Sequence, residues 1–162
     1  MKLKIYIFLF LIGFFAFAGT AQTRIIDSLK QEADMAVTPM QRADALLILC
    51  GEKNSLNADS LFKFASEVKS FYSQPSNPKY FMVEYYLTWC LLNKGKEDSV
   101  IIIADKYMEL LKKDKANSKA YMLFFQLKAF ACYRINRPKE TIKVSYELAA
   151  EALKRKDTLS LL

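Results

Sequence analysis

A chain of 162 residues, 52% hydrophobic and 25% charged, has the composition of one folded domain and excludes a disordered low-complexity polymer. The formal charge is +7, and setting aside the two cations Lys2 and Lys4 leaves +5. The remaining cations are scattered rather than gathered into a binding stripe, so no nucleic-acid partner is expected. With only 4 Gly and 4 Pro the chain lacks the turn residues of an all-β protein, and Pro39, Pro75, Pro78 and Pro138 all fall between periodic segments.

The chain begins with the basic Met1-Lys2-Leu3-Lys4, runs through an apolar stretch from Ile5 to Ala18 and leaves it by the small residues Gly19-Thr20-Ala21. This order is that of a secretory signal peptide at 1–21, with cleavage expected after Ala21 and Ala18 as the competing site. An uncleaved anchor helix is the rival, but the apolar stretch is shorter than the ~20 residues needed to cross a bilayer. No Cys follows it where a lipid anchor needs one. The expectation is an exported, periplasmic protein whose mature part, 22–162, has no stable membrane span.

From Thr23 the apolar residues recur at helical spacing. A first helix at 24–36 places Ile25, Leu29, Ala33 and Ala36 on one stripe. Thr38-Pro39 reads as a cap and first-turn proline opening a helix to about Lys53. After a polar turn, Asp59 to Tyr72 forms a helix with Leu61, Phe64, Ala65, Val68 and Tyr72 inward. The loop Ser73–Pro78 precedes an apolar, aromatic helix from Tyr80 to Asn93, which Lys94-Gly95-Lys96 ends with glycine at the left-handed position. Asp98 to Lys113 carries Val100, Ala104, Tyr107 and Leu111 on one face. Ser118 to Ile135 and Pro138 to Lys154 complete the series, and the tail Asp157–Leu162 reads as the opening of another helix. Lysines and arginines near these helix ends, among them Lys94, Lys112 and Lys154-Arg155-Lys156, suit the negative end of the dipole.

One local pattern recurs as Asp27-Ser28-Leu29, Asp59-Ser60-Leu61, Asp98-Ser99-Val100 and Glu140-Thr141-Ile142, in steps of 32, 39 and 42 residues. Acid and hydroxyl suit a helix start, and a helix pair of that length is a stacking unit. Together with Ala131-Cys132-Tyr133, Tyr146 and Ala149, and with Leu87, Leu91, Gly95, Val100 and Ala104, this resembles the tetratricopeptide (TPR) repeat, although Thr88, Phe130 and Val100 stand where the family places small residues. The resemblance covers most of 24–162. It implies an all-α fold of antiparallel helix pairs, about 38–72, 80–113 and 118–154 after the first helix at 24–36, stacked as a short right-handed α-solenoid. Signal peptide, Ile26-Asp27-Ser28-Leu29-Lys30, Leu46-Leu47 and Asn57-Ala58-Asp59-Ser60-Leu61 together resemble the exported TPR regions of Bacteroidetes membrane-bound regulators.

The chain contains no His, and its four glycines are isolated from one another. Imidazole catalysis, imidazole metal ligation and a Gly-rich phosphate loop are therefore absent, and no catalytic residue, metal or cofactor is expected. Glu32, Asp34, Glu97 and Asp98 read as solvated faces and caps. Cys50, Cys90 and Cys132 are odd in number and lack metal-ligand spacing. Taken as equivalent residues of stacked helices, Cys90 and Cys132 sit ~8–10 Å apart, beyond disulfide reach, so all three are expected as buried thiols.

Tyr85, Trp89 and Asn93 share a stripe, and Lys53 and Arg134 lie near the ends of corresponding helices. TPR proteins bind peptides along the first helices of their pairs, so these five are the candidate groove. The aromatic pair suits packing between repeats equally well. The resulting expectation is a non-catalytic module that binds a protein or peptide. The alternative is the sensory part of a membrane-bound signal-transduction or transcription regulator.

Overall fold

The computed structural model describes residues 24–155, which form seven helices and no strand. The expected signal peptide at 1–21 and the expected helix opening at Asp157–Leu162 lie outside the described residues. The chain divides into two compact units, one ending at Leu56 and the other beginning at Asn57, so the expected pair at 38–72 is shared between them.

The first unit holds α1 (24–34) and α2 (Pro39–Gly51). The start of α2 follows from its sequence, Thr38-Pro39-Met40-Gln41. The Thr38 hydroxyl accepts the Gln41 amide at 3.2 Å, and the Gln41 carboxamide accepts the Thr38 amide at 3.0 Å. This reciprocal capping box satisfies two amides that the helix itself leaves open. On α1 the inward residues are Ile26 and Ala33, whereas Ile25 is 51% exposed. Of the expected stripe, Ala33 is buried and Leu29 and Ala36 are half-buried, and only its first member moves, from Ile25 to Ile26. Adjacent isoleucines satisfy the helical period equally well, and only packing chooses between them. Between the two helices Arg42 donates to the Ala33 carbonyl and the Asp34 carboxylate, both at 3.0 Å.

The second unit runs through α3 (Ala58–Phe71), α4 (Tyr80–Asn93), α5 (Glu97–Leu111), α6 (Ser118–Arg134) and α7 (Pro138–Arg155). Helix α3 packs on α4, α4 packs on α5 and α6, and α6 packs on α5 and α7. Of the residues expected to point inward, Leu61, Ala65, Val68 and Tyr72 at α3 and Val100, Ala104, Tyr107 and Leu111 on α5 are buried, and Phe64 is half-buried. Rings from three helices fill the centre. Tyr107 of α5 stacks on Phe124 of α6 at 4.8 Å, Tyr85 of α4 meets Phe124 edge-on at 6.2 Å, and Tyr80 meets Tyr107. The Tyr107 hydroxyl lies 3.3 Å from that of Tyr80. Burial, with that contact, pushes the Tyr107 hydroxyl well above its ordinary pKa, so it stays protonated.

Two turns share one geometry. After α4, Gly95 takes φ +70°, its amide donates to the Leu92 carbonyl and the Lys96 amide donates to that of Leu91. After α6, Asn136 takes φ +55°, its amide donates to Tyr133 and that of Arg137 to Cys132. Both are Schellman endings, with glycine at the left-handed position in one and asparagine in the other. Residues 95 and 136, which hold the same place in the two turns, are 41 apart, one fewer than the 42-residue step between Asp98 and Glu140. Ile142, which the longer step aligns with the buried Val100, is 57% exposed, and the buried residues of α7 are Val144 and Ala152.

Arginines tie these turns together. The Arg134 guanidinium donates to the Leu92 carbonyl at 2.6 Å and pairs with Glu97 at 3.1 Å. Arg137 pairs with Asp98 at 3.0 Å. Arg155 donates to the Lys112 carbonyl at 2.8 Å, pairs with Glu151 at 3.2 Å and lies 4.0 Å over the Tyr121 ring. Glu97 is not the solvated acid expected from its sequence surroundings: its side chain is only 13% exposed.

Replacing Gly95 by Ala meets no atom within 4 Å but forces a Cβ into the left-handed region. It is expected to cost about 1–2 kcal/mol in urea melts, whereas Asn136→Gly leaves stability unchanged or raises it. Arg134→Met strands the largely buried Glu97 carboxylate and removes one of the donors to the Leu92 carbonyl, for an expected loss of about 2 kcal/mol. Lys94→Met, at a pair whose Asp59 is 90% exposed, is expected to change stability by less than about 1 kcal/mol.

Candidate functional site

Helix α4 is apolar nearly all round, so almost every one of its faces is covered; Trp89 lies at the seam where α4 meets α6. Its ring is half-buried, 6.3 Å from Tyr85 on one side and 6.5 Å from Phe130 on the other, nearly edge-on to the latter at 80°. Tyr85 is buried, with its hydroxyl pushed above the ordinary range by that burial. Asn93, the last residue of α4, is exposed. Arg134 is committed to Leu92 and Glu97 at the same end. The fold thus brings Tyr85, Trp89, Asn93 and Arg134 to one stretch of the α4–α6 seam. Lys53 belongs to the first unit, where it follows α2 and is half-buried. That burial lowers its pKa, opposed by the neighbouring Glu52.

Sequence reasoning missed the aromatic residues that α6 adds. Phe130 is 53% exposed and Tyr133 72% exposed. With Ala129, Gln126, Thr141 and Leu148 they line a shallow groove of about 270 Å³ between α6 and α7. Its walls are mostly apolar, and the Thr141 hydroxyl is turned to the Arg137 carbonyl at 3.0 Å. The 41-residue register contains the signal that finds them. Shifted by the distance from Gly95 to Asn136, Trp89 aligns with Phe130 and Asn93 with Arg134. The longer step aligned Trp89 with Ala131 and hid the correspondence.

The same register separates Cys90 from Cys132, which the longer step treats as equivalent. Cys50, Cys90 and Cys132 are all buried, and none is in a disulfide. Burial pushes the Cys90 thiol up to about 11, with Lys94 nearby acting the other way. Burial also raises Cys132, with Glu140 adding to it. Neutral, enclosed thiols are poor nucleophiles. Elsewhere in the unit, Glu84 is nearly buried, with its carboxylate 2.8 Å from the Lys69 ammonium. Among the described residues no group of three His, Cys, Asp or Glu could hold a metal, and no helix is long and apolar enough to cross a membrane. Compared with protein-family models, curated proteins and solved structures, the chain has no match.

Native protein at pH 8 is expected to leave all three cysteines unmodified by a maleimide over minutes. The denatured, unreduced protein is expected to take up three labels, as counted by intact mass.

Proposed function

We propose that the chain is an exported, non-catalytic TPR-like module that binds a protein or peptide. In this reading α4–α5 and α6–α7 are successive helix pairs of a short right-handed solenoid, and the partner lies along the α4–α6 seam. The observation that carries the proposal is the aromatic surface shared by Trp89, Phe130 and Tyr133. Half-exposed rings at repeat-equivalent positions give area that folding alone does not need, and rings of this kind dominate interfaces. The 41-residue spacing of the two left-handed turns and the direct packing of α4 on α6 support the stacked-pair reading. Tyr85 serves from beneath by holding Trp89, and Arg134 by fixing the helix ends. Asn93 is left as the polar group at the edge of the surface. The lack of any histidine agrees with a binding role rather than acid–base chemistry. The alternative, the sensory part of a membrane-bound regulator, rests on sequence resemblance and employs the same surface.

The test is capture from a periplasmic extract with wild-type and variant baits. Phe130→Ala and Tyr133→Ala remove mostly exposed rings. They are expected to keep helix content and melting temperature while weakening partner retention at least tenfold, equivalent to about 1.4 kcal/mol. Trp89→Ala opens a half-buried seam and is expected to cost about 2 kcal/mol of stability in addition to binding. Unchanged capture by the Phe130 and Tyr133 variants, with the fold intact, would sink the assignment.

A further inference from the structure

A second surface of the same unit has a different chemistry. Where α5 ends, α6 begins and α7 finishes, a cleft of about 610 Å³ is lined by Lys112, Lys113, Lys115, Lys154, Arg155 and Glu151, with Ser118 at its base. Its volume lies within the ~300–1,000 Å³ range of small-molecule sites. Five cations thus face one lining carboxylate. That carboxylate is already taken, since Glu151 lies 3.0 Å from Lys154 and 3.2 Å from Arg155, and these two contacts hold it below the usual carboxylate range.

The other acids nearby offset only part of the remainder. Asp114 turns its carboxylate inward to its own loop. One oxygen accepts the amides of Ala116 and Asn117, and the other accepts the Asn117 side chain at 2.8 Å. Glu109 reaches Lys112 only at 3.9 Å, with both side chains mostly exposed. Lys113 and Lys115 are exposed and make no ion pair with a described residue. Like charges crowded in this way repel one another, which is a cost to the folded state unless an anion occupies the cleft.

The cleft also specifies the kind of anion. Arg155 is fully engaged with Glu151, Lys112 and Ser118, so no planar fork is left for bidentate recognition of a single carboxylate. Lys154 is paired with Glu151, so Lys113, Lys115 and the loosely paired Lys112 remain as flexible point charges, the form in which lysine binds phosphate. The Tyr121 ring is already covered by Arg155, so a base or sugar gains no stacking platform there. We propose that this cleft binds an oligophosphate of two or three linked phosphate groups. An end group of such a chain carries about −1.5 to −2 charges and a linking group about −1, so the chain meets these ammonium groups within a compact volume. An acidic peptide needs several ordered residues to bring the same charge, and ordering each costs roughly 1–2 kcal/mol in the backbone alone. The site is independent of the aromatic seam, and either can fail without the other.

Calorimetric titration of sodium tripolyphosphate into the full chain at low ionic strength tests the proposal. Saturable binding with one site is expected, weakening as salt rises. The exposed pair Lys113→Glu with Lys115→Glu is expected to keep the wild-type melting temperature and to weaken binding by at least about tenfold. A charge-matched control, Lys139→Glu with Lys143→Glu on the outer face of α7, is expected to leave it within about twofold. ATP distinguishes the source of the phosphates: equal affinity assigns a free oligophosphate, and tighter ATP assigns the same chain carried by a nucleotide. Absence of saturable binding, an equal loss in the control pair, or equally tight binding of hexaglutamate overturns the proposal.

Discussion

The packing depends on arginines that close the ends of helices other than their own. A helix leaves its last carbonyls without partners, and the aligned peptide dipoles make that end negative. In three places a guanidinium from another element bonds a carbonyl at such an end: Arg42 at Ala33, Arg134 at Leu92 (where the Gly95 amide also donates) and Arg155 at Lys112. In each the same group also pairs with a carboxylate, Asp34, Glu97 or Glu151. The planar fork makes this possible, because it donates in two directions without a change of rotamer. Apolar contact between helices tolerates sliding, whereas a charge-assisted bond to one particular carbonyl does not. The arginines therefore set the register that the aromatic core fills.

The core and turns make sense within that frame. Tyr85, Tyr107 and Phe124 interlock only when α4, α5 and α6 are held at fixed heights. The left-handed residues Gly95 and Asn136 reverse the chain at the helix ends that Arg134 and Arg137 engage. Glycine adopts that conformation without strain. Asparagine is among the few other residues that visit it, since its short polar side chain can bond locally. The same turns bring Trp89 and Phe130 side by side.

Much of this is legible in the sequence because it is local. Thr38-Pro39 announces its helix, Gly95 its turn, and the stripes on α3 and α5 their buried faces, since each depends on residues within a few positions. What escaped reading depends on residues far apart. Glu97 looks like an ordinary first-turn acid until its partner, 37 positions on, is known. Ile25 and Ile26 fit one helical period equally well, and burial chose the second. The 42-residue step between Asp98 and Glu140 differs by one from the spacing of the two left-handed turns, because acids and hydroxyls are interchangeable at helix starts. The turn geometry that fixes that spacing is carried by Asn136, a weaker signal than glycine. That one-residue difference concealed the pairing of Trp89 with Phe130, and with it the outer half of the aromatic surface.

The two ends of α7 are both fastened to α5. Arg137, just before it, holds Asp98 in the first turn of α5, and Arg155 holds the Lys112 carbonyl at the far end. Helices ordinarily fray from a loose terminus inward, a residue at a time. Within the described residues α7 offers no such loose terminus, so small openings have nowhere to start. Exchange with solvent in α7 is therefore expected to be cooperative, the helix detaching as one body or staying docked. Because Arg155 and Lys154 help build the basic cleft, the cleft is assembled and dismantled together with that docking.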